Sequence, residues 1–192
     1  MKEDAYARLI QNASAASQSS EDTPIFAGSV NGRQPYPLEK WKPTNCGFVD
    51  IAIDREGRWF HEGSEIKRRE LVSLFAGLLL REQDGCYYLV TPVEKVEVSV
   101  ALHPLMVVDA SPMTVDQNLS LALVLNTGGV FHLSANTGLH PEARASGAAY
   151  VNLPHGLSAL FTRAAWYRLV ELADADGNIV SGGERFSLLA GS

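Results

Sequence analysis

The chain has 192 residues, of which 46% are hydrophobic and 20% charged, a composition typical of a folded globular protein rather than a disordered one. A chain of this length buries roughly 70% of its unfolded surface, so it needs no crosslinks to be stable. The formal net charge of −6 argues against a general nucleic-acid binder and against a binder of anionic membranes, because both need a positive surface.

Cysteine usage and targeting patterns indicate the cellular compartment. The sequence contains two cysteines, Cys46 and Cys86, without the spacing of a metal or redox motif, so we expect reduced thiols rather than a disulfide. The N-terminal residues lack the apolar run of a secretion signal, and no apolar stretch reaches the roughly 18 residues of a membrane span. We therefore expect a cytoplasmic protein with no membrane span.

Residues 1–34 are predicted to form an N-terminal segment that is partly mobile. A short helix is expected over residues 1–10, where Leu9 and Ile10 supply an apolar face. The Ser/Ala stretch that follows, residues 12–23, is too weakly apolar to pack on a folded body.

A proline-rich segment leads into the folded part of the chain. Three prolines between Pro35 and Gly47 force extended or turn geometry. Trp41 lies in the middle of this segment and is large enough to hold it against the folded body. We call residues 35–47 the strap.

The first half, residues 35–110, is predicted to consist of strands packed on one helix. Alternation predicts a strand at residues 49–53, which Arg55–Gly57 turns into a hairpin. The densest signal is the run from Arg69 to Lys95, which predicts a helix, a turn at Asp84-Gly85 and a buried strand. The apolar helix face comprises Leu71, Leu74, Phe75, Leu78 and Leu79, and a further strand alternates at Val96, Val98 and Val100.

The second half, residues 111–192, repeats this plan. Strands are predicted at Leu119–Leu125 and Ala149–Leu153, and a helix that begins near His155 is followed by a turn at Asp176-Gly177. Because an Asp-Gly pair follows each helix, we predict an internal duplication. The predicted fold is α+β, with two similar halves that each pack a mostly antiparallel curved sheet on one main helix.

Patterns that bind metals or phosphates are not recognised in the sequence. The loop around Asp174 and Asp176 lacks carboxylates at the first and last positions of a calcium-binding loop. The five histidines never fall two or four residues apart, the spacing common among zinc ligands. Nucleophile-elbow and phosphate-loop patterns are also missing. We therefore predict no metal and no cofactor.

The pentapeptide from Thr91 to Lys95 is the best candidate for ligand contact. Pro92 ends a buried strand, so a hydroxyl, a carboxylate and an ammonium lie together at the edge of the core. Lys95 is suited to a phosphate, Thr91 to a hydroxyl or phosphate oxygen, and Glu94 to a ribose-like diol or an amine. The alternative is a solvated turn in which Glu94 and Lys95 form an ion pair that contributes little.

Short segments spread from about Pro37 to the C-terminus carry a family resemblance. They are Trp41–Ile53, Gly63-Ser64, Leu71-Val72, Leu74–Ala76, Arg81-Glu82, Tyr87–Lys95, Asn126, His140-Pro141, Tyr167, Leu169-Val170, Leu172-Ala173 and Ser181–Gly183. With these segments the chain resembles the bacterial family called domain of unknown function 1285. The run from Thr91 to Lys95 is the most specific of them.

The resemblance implies a duplicated α+β fold whose C-terminal half is similar to a pleckstrin-homology barrel. It also implies a ligand site between the halves, a nucleotide-like ligand and a role in signal transduction, without established catalysis. The positions carried over as ligand-binding, which we expect to face the interface between the halves, are Thr91, Glu94, Lys95, Asn126, His140 and Gly182.

Two departures from the family pattern affect the expected ligand. The family commonly follows its His-Pro pair with a hydrophobic residue and an arginine, where this chain has Glu142 and Ala143 before Arg144. A basic residue before the second helix is replaced by Leu153-Pro154-His155. This chain therefore offers less positive charge, which argues against a multiply phosphorylated ligand.

Different classes of function fit these observations. The favoured prediction is a non-catalytic protein that senses a small, nucleotide-like ligand at the interface between the halves. The alternative is a small hydrolase or transferase that uses His140 or His103 as a base near Glu94. A protein partner that binds exposed strand edges is a third class, and it would show as a large apolar surface patch.

Overall fold

The computed structural model of the chain describes residues 2–18, 36–115, 117–145 and 148–188. Over these residues the protein is an α+β fold with three helices and two sheet-rich halves, which confirms the predicted α+β class and the division into two halves. The helices are α1 (Lys2–Gln18), α2 (Arg69–Leu78) and α3 (Arg163–Glu171), and single 3-10 turns lie at Leu38–Lys40 and Pro154–Gly156.

The first sheet belongs to the N-terminal half. Its strands are β1 (Asn45–Gly47), β2 (Ile51–Ile53), β3 (Trp59–His61), β4 (Ser64–Glu65), β5 (Leu79–Arg81), β6 (Tyr87–Val90) and β7 (Glu94–Val100). They lie in the order β4-β3-β2-β7-β6-β5, and β1 also pairs with β7. Neighbours are antiparallel except that β7 runs parallel to β1 and to β2. β7 is therefore the central strand of this half.

The second sheet belongs to the C-terminal half. Its strands are β8 (Leu105–Val115), β9 (Asn118–Leu125), β10 (Val130–His132), β11 (His140–Glu142), β12 (Ala148–Asn152) and β13 (Ser158–Phe161). They lie in the order β10-β9-β8-β13-β12-β11, and the pair of β8 and β13 is parallel. A separate hairpin of β14 (Asn178–Ser181) and β15 (Glu184–Ser187) follows α3.

The two sheets share one topology. In each, two antiparallel meanders of three strands meet through a parallel pair. The helices occupy different places, because α2 connects β4 to β5 whereas α3 follows β13. The two predicted Asp-Gly turns are therefore not equivalent: Asp84-Gly85 joins the antiparallel strands β5 and β6, and Asp176-Gly177 leads from α3 to β14.

The second sheet is open. Among the described residues its end strands, β10 and β11, do not pair with each other, so the predicted pleckstrin-homology-like barrel is not confirmed. The strands place the boundary between the halves in the connection from β7 to β8, at residues 101–104. The predicted boundary after residue 110 falls inside β8, because that strand starts at Leu105 and continues to Val115.

The second main helix begins later than predicted. Residues 158–161 form β13, which pairs with β12 on one side and with β8 on the other. The helix starts after Thr162, whose hydroxyl accepts a hydrogen bond from the Ala165 amide at 3.3 Å and so caps the helix. The spacing of Leu157, Leu160 and Phe161 fits a helix, but hydrogen bonding to the neighbouring strands holds residues 158–161 in the sheet.

A continuous hydrophobic core joins α1, both sheets, α2 and α3. Trp59 and Phe75 are among its largest fully buried side chains, and their ring centroids lie 6.1 Å apart. Tyr6 of α1 stacks on His61 with ring centroids 3.7 Å apart. The N-terminal helix is therefore part of the packed body.

The extent of α1 corrects one expectation. Residues 12–18 continue the helix, and Ala13 and Ala16 are buried in the core beside Leu9. The prediction that this stretch would not pack is wrong, because small alanine side chains let the helix approach the body closely. Residues 19–23, which shared that prediction, lie outside the described part of the chain.

We expect Leu9→Ala to lower the free energy of unfolding by about 2–5 kcal/mol, because this fully buried side chain would leave a cavity. Chemical denaturation followed by circular dichroism measures the change. Gln11→Ala, on the exposed face of the same helix, is the matched control and should change the value by less than about 0.5 kcal/mol. Equal effects of the two substitutions would contradict the packing of α1.

Candidate functional site

Thr91 closes the turn that joins β6 to β7. Its amide donates to the Glu94 carbonyl at 2.9 Å, and its hydroxyl accepts from the Glu94 amide at 3.1 Å and donates to the Glu94 carbonyl at 3.1 Å. Pro92 suits this turn because its position needs no amide hydrogen. The Thr91 side chain is fully buried, so its hydroxyl is used by the turn itself.

The Glu94 carboxylate lies beneath α1. It is only 1% exposed. One oxygen accepts a hydrogen bond from Asn12 Nδ2 at 2.6 Å, and the other lies 3.5 Å from Arg8 Nε. A buried carboxylate needs such partners, because an unpaired charge in a core is strongly unfavourable. Glu94 therefore anchors the N-terminal helix to β7.

Lys95 faces the opposite side of β7 from Glu94, since successive side chains of a strand alternate. Its Nζ lies 2.8 Å from both carboxylate oxygens of Glu82 and 4.0 Å from the centroid of the Tyr88 ring. The ammonium thus combines an ion pair with a cation–π contact. Its side chain is 22% exposed and reaches a cleft.

Asn126 fastens the first hairpin to the second half. Its Oδ1 accepts from the Met106 amide at 3.1 Å, and its Nδ2 donates to the Gly57 carbonyl at 3.0 Å. Gly57 has a φ of +72°, and a Cβ there would lie 2.7 Å from Met106 Cγ, so only glycine permits this approach. Asn126 lies where the halves touch, but backbone groups already use its side-chain amide.

His140 and Gly182 lie in other parts of the second half. His140 is on the edge strand β11, with Nε2 2.9 Å from Asn152 Nδ2. Gly182 lies in the turn from β14 to β15, where its amide donates to the Leu119 carbonyl at 2.9 Å. Asn126 follows β9, which is four strands from β11, or roughly 19 Å along the sheet. The six residues predicted as ligand-binding are therefore not gathered in one place.

A cleft of about 640 Å³ lies where the strap crosses the first sheet and meets the second half. One wall comes from the strap, another from the turn between β5 and β6, and a third from the 3-10 turn at Pro154–Gly156. Its lining residues are Leu38, Glu39, Trp41, Lys42, Pro43, Cys46, Leu80, Arg81, Glu82, Gln83, Asp84, Val90, Lys95 and His155. Of the six predicted ligand-binding residues, Lys95 is the one in this lining.

Charges of both signs line the cleft. Its cations are Lys42, Arg81 and Lys95, and its carboxylates are Glu39, Glu82 and Asp84. Asp84 accepts hydrogen bonds from the Cys86 amide at 2.8 Å and from the Tyr88 hydroxyl at 2.9 Å. These bonds lower the pKa of Asp84 and raise the pKa of Tyr88. At neutral pH Asp84 is therefore ionised and Tyr88 keeps its proton.

His155 is the residue of the second half that lines the cleft. Its backbone has a φ of +60°, which residues other than glycine rarely adopt. Its Nδ1 lies 2.5 Å from Glu39 Oε1, and its side chain is 13% exposed. Its Nε2 is buried and has no hydrogen-bond partner within the described parts of the chain. Because buried polar atoms normally have a partner, this nitrogen is available to a ligand or a water molecule.

A chain of hydrogen-bonded side chains lies outside this cleft, in the second half. His103, from the connection between β7 and β8, places Nδ1 2.7 Å from Ser158 Oγ and Nε2 2.6 Å from Glu142 Oε2. Arg144 donates to both oxygens of Glu142, at 3.0 Å and 2.9 Å. The enzymatic hypothesis paired His103 with Glu94, but Glu94 binds α1 and the carboxylate beside His103 is Glu142.

The protonation states within this chain follow from its contacts. Hydrogen bonds from Arg144 hold the pKa of Glu142 well below its usual 4.5, at about 2. Burial lowers the pKa of His103, although Glu142 acts in the opposite direction. At neutral pH Glu142 is thus ionised and His103 is neutral. A carboxylate only accepts hydrogen bonds, so Nε2 of His103 carries the hydrogen and Nδ1 accepts from the Ser158 hydroxyl.

The remaining reactive groups are the two cysteine thiols. Cys46 is exposed at the cleft, Cys86 is half-buried, and both are free thiols. Over residues 2–18, 36–115, 117–145 and 148–188, no cluster of three or more His, Cys, Asp or Glu side chains could hold a metal ion. Over the same residues, no helix is long and apolar enough to cross a membrane.

Comparison with known proteins identifies the kind of fold. Two family models match: the domain of unknown function (DUF1285), N-terminal domain, over residues 36–101, and the protein of unknown function (DUF1285), C-terminal domain, over residues 104–188. The crystal structure of a DUF1285 family protein from Silicibacter pomeroyi DSS-3 is 30% identical, with a TM-score of 0.70 over 91% of this chain and 93% of that chain.

A second DUF1285 family protein, from Shewanella baltica OS155, is 27% identical, with a TM-score of 0.53 over 64% of this chain and 91% of that chain. No curated protein matches the chain. The fold is thus that of two-domain α+β proteins found in bacteria. The chain belongs to the DUF1285 family, which confirms the resemblance seen in its sequence.

The contacts of Glu142 and His103 predict how stability depends on pH. The pKa of Glu142 is lowered on folding, so its contribution to stability is complete above its usual pKa of 4.5 and is lost as pH falls toward about 2. The pKa of His103 is also lowered, and the unfolded chain binds a proton below the usual 6.5, so acid favours unfolding there as well.

We therefore expect the gap in unfolding free energy between the wild type and Glu142→Gln to be large at pH 6 and to shrink steadily below about pH 4.5. Urea denaturation at a series of pH values measures this gap. Glu65→Gln, at an exposed carboxylate on β4, is the matched control and should give a small gap at every pH. If the difference in unfolding free energy between the wild type and Glu142→Gln stays constant with pH, the lowered pKa of Glu142 is contradicted.

Proposed function

We propose that this protein binds a small anionic ligand, such as a nucleoside monophosphate, in the cleft between its two halves, and that this cleft senses the ligand without transforming it. The observation that carries this proposal is the composition of the cleft. Lys95 of the first half and His155 of the second line the same cavity. A ligand that contacts both residues would connect the two halves.

The size and lining of the cleft suit such a ligand. Its volume of about 640 Å³ lies within the range of roughly 300–1,000 Å³ that small-molecule sites occupy. Trp41 offers an aromatic surface beside the apolar side chains of Leu38, Leu80 and Val90. A flat ring can pack against such a surface, while a phosphate group contacts one of the cationic side chains of the lining.

The charge balance favours one phosphate group over several. Three cationic side chains and three carboxylates line the cleft, so their formal charges cancel. Lys95 is already paired with Glu82, and a phosphate would have to compete with that carboxylate. A multiply phosphorylated ligand would meet more negative charge than the cations can neutralise. The weaker positive charge inferred from the sequence leads to the same conclusion.

Sensing would follow from differential affinity. A ligand that binds one relative arrangement of the halves more tightly than others stabilises that arrangement in proportion to the difference. His155 supports this idea because its buried Nε2 lacks a partner among the described residues. A phosphate or hydroxyl oxygen at that nitrogen would supply the missing hydrogen bond.

A thermal-shift screen of nucleoside monophosphates, sugar phosphates and inorganic phosphate tests the proposal. A ligand at a hundred times its Kd should add about 2.7 kcal/mol, which raises the Tm by roughly 5–10 °C for a chain of this size. Lys95→Ala should weaken binding about 10–100-fold, because it removes a charge-assisted hydrogen bond. Lys67→Ala, an exposed lysine outside the cleft, is the matched control.

Thiol labelling locates the ligand found by that screen. Cys46 lines the cleft, whereas Cys86 does not, so a bound nucleoside monophosphate should slow alkylation of Cys46 alone. Peptide mass spectrometry after timed alkylation with and without ligand measures both thiols in one sample. Equal protection of the two thiols, or a thermal shift that Lys95→Ala leaves unchanged, would contradict binding in this cleft.

A further inference from the structure

We propose that Ser158, His103 and Glu142 form a nucleophilic site that hydrolyses small carboxylic esters. None of the three residues lines the cleft assigned to the sensed ligand. The proposed activity is therefore separate from ligand sensing, and a failure to detect ligand binding in the cleft would not contradict it.

The hydrogen-bond geometry is that of a nucleophile, a base and an orienting carboxylate. Both contacts of His103, at 2.7 Å to Ser158 Oγ and 2.6 Å to Glu142 Oε2, lie within the reach that proton transfer requires. Because Glu142 only accepts, the neutral imidazole turns an unprotonated Nδ1 toward the serine hydroxyl. The ring nitrogens have opposite roles to those in the serine protease triad, but the chemistry that the triad needs is preserved.

The fold brings these residues together from distant parts of the chain. Glu142 pairs with Ala148 across β11 and β12, and Ser158 pairs with Asn152 across β12 and β13. Ala148 and Asn152 lie on one face of β12, since alternate residues of a strand share a face. Glu142 and Ser158 therefore share that face, and the connection from β7 to β8 lays His103 between them.

The imidazole is held firmly in this position. Tyr150, on the same face of β12, packs against His103 with ring centroids 4.8 Å apart. Arg144 holds the carboxylate of Glu142 with its side chain and also with its backbone amide, which donates at 2.8 Å. A base whose orientation is fixed before the substrate arrives is a requirement for efficient proton transfer.

Burial differs between the members of this chain of side chains. The side chains of His103 and Glu142 are only 4% and 5% exposed, whereas Ser158 is only partly buried. A base and its carboxylate shielded from water, beside a nucleophile that can be reached, are the arrangement that acyl transfer needs. A small cluster of buried apolar side chains, Leu102, Met106 and Leu160, packs against Tyr150 and so supports the ring that contacts His103.

The reaction follows in two balanced steps. Ser158 Oγ attacks the ester carbonyl carbon, its proton moves to Nδ1 of His103, and the carbonyl electron pair moves to the oxygen. When that pair returns, the alkoxide leaves and takes the proton from His103, which gives an alcohol and an acyl-serine. Water then attacks the acyl-serine by the same route, and the products are a carboxylic acid and free Ser158. In both steps the transient imidazolium is stabilised by the ionised Glu142.

A fluorophosphonate reagent tests the nucleophile in the full chain. We expect one covalent adduct, located on Ser158 by peptide mass spectrometry, with none at this position in Ser158→Ala. His103→Gln should slow adduct formation about 10²–10⁴-fold, the usual contribution of a general base. Hydrolysis of p-nitrophenyl acetate above the solution background should be lost in the same two variants.

A second serine–histidine pair provides the matched control. Ser120 Oγ lies 3.2 Å from His132 Nδ1, but Ser120 is buried. Ser120→Ala should therefore keep the rate of labelling and hydrolysis. Circular dichroism melting confirms that each variant is folded. A folded wild type that gives no adduct on Ser158, or a His103→Gln variant that is labelled at the wild-type rate, overturns the proposal.

Discussion

The alternation of side chains along β7 is the constraint on which both the core and the cleft depend. Glu94 faces the side on which α1 is bound, whereas Lys95 faces the strap and the turn between β5 and β6. A shift of one residue in register would exchange these two faces. Pairing with β1 and β2 on one edge and with β6 on the other opposes such a shift. Burial of the apolar face of β7 therefore also places Lys95 in the lining of the cleft.

The sequence predicted best those elements that depend on near neighbours in the chain. The helical period of α2 and the alternation at Val96, Val98 and Val100 are of this kind, and both elements are present. β13 depends instead on parallel pairing with Leu105–Val107 of β8, which are distant in sequence. Parallel strands need long connections, so the residues near β13 in the sequence do not reveal its partner. The local apolar spacing at the start of β13 therefore indicated a helix.

The residues of the candidate sites also divide into those that local sequence predicts and those that depend on distant parts of the chain. Lys95 could be placed at a cleft from its position in a polar pentapeptide, and the alternation that begins at Val96 already implied that Glu94 and Lys95 face opposite sides. The partners of His103 could not be found in this way. Glu142 and Ser158 reach it only because β11, β12 and β13 are neighbours in the sheet, and no spacing in the sequence records that order.

The 3-10 turn at Pro154–Gly156 supports both candidate sites. Gly156 has a φ of +70°, and a Cβ there would lie 3.0 Å from the Arg81 carbonyl oxygen, so this turn rests directly on β5 of the first half. His155 extends from the turn into the cleft, and Ser158 begins β13 immediately beyond it. The contact between the halves at Gly156 therefore positions the residue that would meet the sensed ligand and the residue that would act as nucleophile. A displacement of this turn from β5 would alter both.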